Sequence, residues 1–517
     1  MKNFYIFFFM FFAFVLNAQR YVTPQYPVKV TQGITYGTNI SILTGAPAPL
    51  ELKMNVIEPI DNQADRPLVL IAHTGSFLPP LYNGQVTGGL TDSTVVALAG
   101  ALASRGYVVA PYTYRMGWLP TSPDVNVRTG TLLQAAYRGI QDTRACIRYF
   151  KKSVAESGNP YGIDPSRIAV LGVGTGGYLS FGAGSLNDFG EVLLDKFINS
   201  QTLTPFIDSN LLGDIWGLKQ TPLCMPNHPG YSSNFQFAFN LGGALGDSSW
   251  LDGEAIEPAY SGVHCVNDFF APYYEGAVIV PTTREFVVNV VGTRKAVEIA
   301  NGNGSNNKLN TLQFDPLASL INAQKSTPIT LPLNPSQRIQ LGTDNFYGFN
   351  LPPVQGSPWD WWDLNTLKFV VSAVNQQRGT NFNADTLHRN GLASNPDMSA
   401  EKGRRYVDSC LALFLPRACA ALNLGCGTNV KNLKPEEVGL DVSPNPAQSE
   451  MIIKSNPDKL ISTVLIYDLQ GRLVKGLTDL KSNTVTIQKG SLQAGVYIAQ
   501  VYFGKLERSS QQIMFRD

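Results

Sequence analysis

The stretch IAVLGVGTGGYLS, residues 168–180, constrains the fold more than any other part of the chain. Its apolar first half reads as a short strand buried on both faces, the kind found inside parallel sheets. Glycines at 172, 174, 176 and 177 then form a tight turn into a helix. A parallel strand reaches its neighbours only through crossovers, so the surrounding chain must alternate strands and helices. Between residues 50 and 180 it does. LELKMNVIEP, RPLVLIAH and YVVAPYTY read as strands, STVVALAGALASRG as a helix stopped at Gly106, and residues 131–158 as a long amphipathic helix. The pattern predicts a doubly wound, mostly parallel α/β sheet.

After residue 185 the rhythm is lost until about residue 232, where FQFAFNLGGALGD and then YSGVHCV resume as strands. Residues 300–355, rich in Asn, Pro, Gly and Gln, read as a long irregular insertion over the sheet. Helices are expected in WDWWDLNTLKFVVSAVNQ and SAEKGRRYVDSCLALFLPRACAAL. The polar stretch GTNVKNLKPEE marks a boundary, with a main domain over 19–428 and a linker over 429–440. Beyond it, period-two segments separated by turns at LQGRL and FGKLE predict a small antiparallel all-β sandwich over 441–517. A chain of 517 residues accommodates one large and one small domain.

The N-terminal MKNFYIFFFMFFAFVLNAQ places one lysine before an apolar run and small residues near Ala18. That is the pattern of a signal peptide, residues 1–18, and implies an exported protein. Its 40 basic and 39 acidic residues nearly cancel and charged residues are 15% of the chain, so no basic footprint argues for nucleic acid. Six cysteines in an exported chain permit disulfides. They allow 15 pairings, of which Cys419–Cys426, flanking a helix end, is the first local one to expect. No CxxC or Cys/His cluster has zinc spacing, and no metal or cofactor is expected.

VSPNPAQSEMIIKS, VLIYDLQGRLVKG and LQAGVYIAQVYFGKLERSSQQI, in this order, resemble the type A C-terminal sorting domain read by the type IX secretion system. Pro444, Asn445, Pro446, Gly471, Gly495, Val496 and Tyr497 fall on that family's pattern. The resemblance implies the type IX machinery as a partner, and a secreted or outer-membrane cell-surface location.

YGIDPSRIAVLGVGTGGYLSFGA resembles the nucleophile elbow of α/β-hydrolases, in particular the carboxylesterase and hormone-sensitive-lipase-like branch. In its G-x-S-x-G-G pattern a serine occupies a strained strand-to-helix turn. Gly172, Gly176 and Gly177 match, and Gly174 stands where the serine belongs. RPLVLIAHTGSF resembles the HGGG oxyanion loop through His73, Thr74, Gly75 and Ser76, with fewer glycines than the family's form. The resemblance implies an anion hole built from backbone N–H groups of this loop and of Thr175. YSGVHCVNDFFAPYY resembles the segment carrying the catalytic acid and puts Asp268 in that position, with His264 on the strand as a structural residue. A catalytic histidine should follow on a loop before the final helix; His388 is the one histidine after Asp268, whereas His228 lies too early.

A non-glycine residue at such an elbow is held at a cost of about 1–3 kcal/mol, which glycine avoids. Gly174 therefore fits a scaffold that no longer needs its nucleophile. Thr175 is expected to point its hydroxyl away from the site, Ser180 lies further into the helix, and Ser76, within reach of the pocket, lacks an evident base. The resulting expectation is an exported pseudo-esterase that binds a small carbonyl or carboxylate ligand in the former anion pocket. Two alternatives stand beside it: an active carboxylesterase with an atypical nucleophile, and a structural adhesion protein using the 300–355 segment.

Overall fold

The computed structural model describes residues 20–516 apart from 44, 62, 281–282, 333, 427–430, 470–472, 479 and 505–506. The expected signal peptide, Gly471 and the tips of the LQGRL and FGKLE turns lie outside the described residues.

Eight strands form the main sheet: β1 (Val28–Ser41), β2 (Ala48–Pro59), β3 (Arg66–Ala72), β4 (Val108–Tyr112), β5 (Ile163–Val173), β6 (Phe237–Leu241), β7 (Ala259–Cys265) and β8 (Phe346–Phe349). Their order is β1-β2-β4-β3-β5-β6-β7-β8. β2 runs antiparallel to both of its neighbours. From β4 to β8 every pairing is parallel. This is the α/β-hydrolase fold. Helices α1 (Ser93–Ala103) and α7 (Ala400–Ala421) cover one face, where Val95, Leu98, Leu411 and Phe414 pack on Val69, Ile71, Val109 and Val173. Helices α2 (Val125–Glu156), α3 (Thr175–Ser185) and α4 (Thr293–Asn303) cover the other. Helices α5 (Leu364–Arg378) and α6 (Ala384–Leu392) form a small cap, with Leu367, Val371 and Leu387 packed on Leu81. α2 starts earlier than its apolar periodicity suggests, because the Asp124 carboxylate caps the Asn126 N–H. Among the described residues no helix is long and apolar enough to cross a membrane.

The expectation of an irregular 300–355 segment is corrected. It holds the end of α4, a helix Ala318–Gln324, a hairpin of Pro328–Leu331 with Asn334–Gln340, and β8 itself. A four-residue strand such as FYGF is too short to show a period. A three-stranded sheet joins Ala244–Leu245, at the end of the expected strand FQFAFNLGGALGD, to Phe286–Gly292 and Glu275–Ile279, two strands not expected from sequence although FVVNVVG carries an apolar run.

Residues 186–236 are mostly irregular, as the loss of the strand–helix rhythm after residue 185 suggests, yet they are firmly held. The polar side of α2, which an amphipathic helix ordinarily shows to solvent, lies beneath them. Gln141 donates to the carbonyls of Leu212 and Asp214, Arg144 to Ile215, Ala183 and Leu186, and Arg148 to Trp216 and Asn227. Arg115 forks onto Asp142 and reaches the Leu223 carbonyl. A segment without its own ladder thus satisfies its carbonyls from a neighbouring helix. Burial holds Arg138 and Arg144 down to about 9, still charged at neutral pH.

The C-terminal residues form two sheets with a shared core of Met451, Ile453, Ile466, Ile487, Val501 and Phe515. The Asn445 side chain accepts from the Met514 N–H and donates to the Gln512 carbonyl, tying the Pro-Asn-Pro motif to the last strand. Part of the expected linker belongs to this sandwich: Lys431–Asn432 pairs with Glu507–Phe515, and Leu433, Val438 and Leu440 enter its core. The sandwich touches the main domain where Tyr347 donates to the Leu469 carbonyl and Gln500 to that of Pro316. Cys419 and Cys426 form a disulfide at the end of α7, while Cys146, Cys224, Cys265 and Cys410 are free and buried.

Candidate active site

Residues 172–177 form a sharp turn from strand to helix. Gly174 joins β5 to α3 at φ 52° and ψ −114°, angles that an L side chain rarely adopts. The flanking glycines permit close approach: a Cβ on Gly172 would lie 2.0 Å from the Gly176 carbonyl oxygen, and one on Gly176 2.1 Å from that of Ala72. A Cβ on Gly174 itself would lie 2.3 Å from Thr74 Oγ1 and 3.0 Å from Thr74 Cβ. Thr74 therefore fills the space that a side chain at residue 174 requires.

The loop around Thr74 is rigid. His73 is buried, directs Nδ1 to the Thr74 carbonyl and stacks on Tyr114 with ring centroids 4.7 Å apart. Burial pulls its pKa down to about 4, so the ring is neutral. Gly75 has φ 131°, and a Cβ there would stand 2.9 Å from Gly88 Cα. The Ser76 carbonyl accepts from Trp118 Nε1 at 2.7 Å. The Ser76 N–H donates to Thr175 Oγ1, also at 2.7 Å. The Thr175 hydroxyl thus points at the loop of residues 73–76, contrary to the expectation that it turns away, and one N–H of that loop is satisfied internally. Thr175 opens α3, so its own N–H has no carbonyl one turn back.

Asp268 follows β7 and lines the same cavity as Gly174. Its Oδ1 accepts from the N–H groups of Phe270 and Ala271. Its Oδ2 lies 3.3 Å from His264 Nε2, and His264 Nδ1 lies 3.2 Å from Thr293 Oγ1. The imidazole beside the acid is therefore that of His264, which is fully buried on β7 and does not line the cavity. His388 is not brought to Asp268. It sits on α6, where its Nδ1 accepts from Trp362 Nε1 at 3.0 Å, and no hydrogen bond or ion pair joins it to Asp268 among the described residues. The loop after β8 contains no histidine, and Gly356 lies there against Asp268: a Cβ on it would be 3.3 Å from the Asp268 Cα and Oδ1.

These residues surround a cavity of about 170 Å³. Leu132, Leu133, Ala136 and Ile140 of α2 form one wall, and Val278, Ile279, Val288 and Val290 of the small sheet form another. Sequence reasoning missed the second wall along with its strands. It also missed Asp360, which lines the cavity and accepts from Thr94 Oγ1 at 2.7 Å. Burial pushes Asp360 up to about 6, against hydrogen bonds from Thr94 and Ser357. Burial, then the charge of Asp360, pushes neighbouring Asp92 up to about 7. An aspartate in a loop gives no sequence signal of this kind, because its desolvation comes from segments distant in the chain. Among the described residues no group of three His, Cys, Asp or Glu side chains is placed to hold a metal.

Comparison with known proteins bears on the C-terminal part of the chain. Among the curated proteins compared, none matches. Solved structures similar to it include a truncated carbohydrate esterase from gut microbiota, at 16% identity over 55% of this chain and 86% of that one, TM-score 0.31. A propionate-bound thermophilic esterase of Thermogutta terrifontis is similar at 17% identity over 48% of this chain and 75% of that one, TM-score 0.25. Esterase B of Lactobacillus rhamnosis is similar at 15% identity over 48% and 68%, TM-score 0.26. Such likenesses concern the fold alone, and the strand order is what identifies it here. Residues 441–515 match the family described as secretion system C-terminal sorting domain. The chain therefore joins an α/β-hydrolase-fold domain to a C-terminal sorting domain of the type IX secretion system, which directs export to the cell surface or the extracellular space.

Proposed function

We propose that this exported protein is a pseudo-esterase: it binds a small ligand in the former active-site cavity and does not hydrolyse esters. The observation that carries the reading is the overlap at the elbow, where Thr74 Oγ1 lies 2.3 Å from the position of a residue-174 Cβ. Glycine at 174 and threonine at 74 fit each other, and each stands where the esterase pattern has the other kind of residue. Two further features support it. Among the described residues no histidine lines the cavity, so the histidine base of the esterase pattern is missing there. The Ser76 N–H, moreover, is engaged by Thr175.

The reading of an active hydrolase with an atypical nucleophile draws on the hydroxyls of Thr74, Ser76 and Thr175 around the cavity. Its difficulty is the same missing base. The adhesion reading loses its motivation, since residues 300–355 supply regular elements and a sheet strand. The chain from residue 20 onward is assayed with short-chain nitrophenyl esters and a fluorophosphonate probe. Neither turnover nor labelling is expected; labelling at one serine or threonine would overturn the pseudo-esterase reading.

A further inference from the structure

The charge of the cavity points to a ligand class that the elbow alone does not suggest. Its polar side carries two carboxylates, Asp268 and Asp360, each less than a tenth exposed. Among the described residues no Lys, Arg or His lines it. The nearby cation Lys402 is engaged elsewhere, by Gln355, Asn395 and Asp397. His264 lies behind Asp268, off the cavity wall. Phe77, Trp118, Tyr178, Trp250, Trp359 and Trp362 supply aromatic surface. Trp359 and Asp268 meet at one point of the floor: a Cβ on Gly242 would lie 2.8 Å from the Trp359 ring and 3.7 Å from Asp268 Oδ2.

An anion entering this space would face two carboxylates without a compensating cation, and in a desolvated site that repulsion is strong. An ammonium group gains from the carboxylates and from the negative faces of the rings. We infer that the cavity binds an organic ammonium ion carrying a compact apolar body, with Asp268 and Asp360 as its anionic partners. This rests on reading the cavity as a ligand site, and it replaces the carboxylate ligand expected from sequence. The size is consistent: the cavity of about 170 Å³ exceeds the roughly 150 Å³ of an apolar cavity that holds benzene. One ring with a two-carbon ammonium arm fits, the ring against the apolar walls and the nitrogen at the carboxylates.

The test is a charge series of matched shape, 2-phenylethylammonium, 2-phenylethanol and 3-phenylpropanoate, titrated into the chain from residue 20 onward at pH 8. Calorimetry reads binding, and quenching of the cavity tryptophans checks its location. The ammonium ion is expected to bind about tenfold or more tighter than the alcohol, as hydrogen bonds to a charged partner do, with the carboxylate weakest. Asp268→Asn and Asp360→Asn, which keep shape, should each remove most of that advantage, bringing the ratio of ammonium to alcohol affinity toward one. If either variant folds poorly, the series on the unaltered protein still decides. Equal binding of ammonium and alcohol, or preference for the carboxylate, overturns the inference while leaving a ligand site. Binding by none of the three overturns both. Ester turnover with the ammonium preference intact overturns only the non-hydrolytic reading.

Discussion

Introducing a serine at residue 174 should fail structurally before it can succeed chemically. Gly174→Ser places a Cβ at φ 52°, where a side chain costs about 1–3 kcal/mol of backbone strain. It also puts that Cβ 2.3 Å from Thr74 Oγ1, a separation that real contacts do not reach, so the threonine or the elbow must shift. Overpacking of this kind costs about 1–3 kcal/mol more, and the single variant should lose about 2–6 kcal/mol in all. Thr74→Gly removes both close atoms and restores the glycine of the oxyanion-loop pattern. The pair should therefore be non-additive, with the double variant recovering about 1–3 kcal/mol relative to the sum of the singles. Denaturant unfolding of the four proteins measures that coupling. Nitrophenyl-ester turnover, followed in parallel, should remain absent in the double variant, because the imidazole at Asp268 belongs to His264 and does not face the cavity. A Gly174→Ser protein as stable as the parent, or a Thr74→Gly change that recovers nothing, would refute the interlock. Ester hydrolysis by Gly174→Ser alone would refute the account of the missing base.

Two other expectations follow from buried charge. Arg144→Met should destabilise the main domain by about 3 kcal/mol or more, since it strips charged donors from the carbonyls of Ile215, Ala183 and Leu186. Proteolysis should then cut first within residues 186–236, and an unchanged cleavage pattern would contradict the clamp. Asp360→Asn should stabilise the protein in a pH-dependent way, because burial raises the Asp360 pKa in the folded state from 3.8 to about 6. Below about pH 4 the carboxyl is neutral in both states and its contribution is fully present; as pH rises through 6 that contribution is lost, by up to about 3 kcal/mol. The difference between variant and parent in urea unfolding should thus be small at pH 4, grow to pH 7 and then level off. A difference independent of pH would place the Asp360 carboxylate in water.

Local sequence determined a good deal. The strands around IAVLGV, the glycine turn and the helix after it follow from apolar runs and the special angles of glycine, both properties of adjacent residues. The sandwich was legible for the same reason, as period-two segments keep their faces wherever they dock. The glycine at residue 174, on which the turn pivots, was equally visible. What the sequence did not carry were contacts between residues far apart in the chain. Thr74 closes on Gly174 across a hundred positions, His264 rather than His388 meets Asp268, and Asp360 becomes a buried acid only when Thr94 and the cavity close around it. Nor does an arginine on an amphipathic helix show, from its spacing, whether water or the carbonyls of an irregular segment will receive its hydrogens. Those outcomes depend on which surfaces are desolvated together, and tertiary packing alone decided that the cavity beside Gly174 is acidic and aromatic and that Thr74 fills the space next to residue 174.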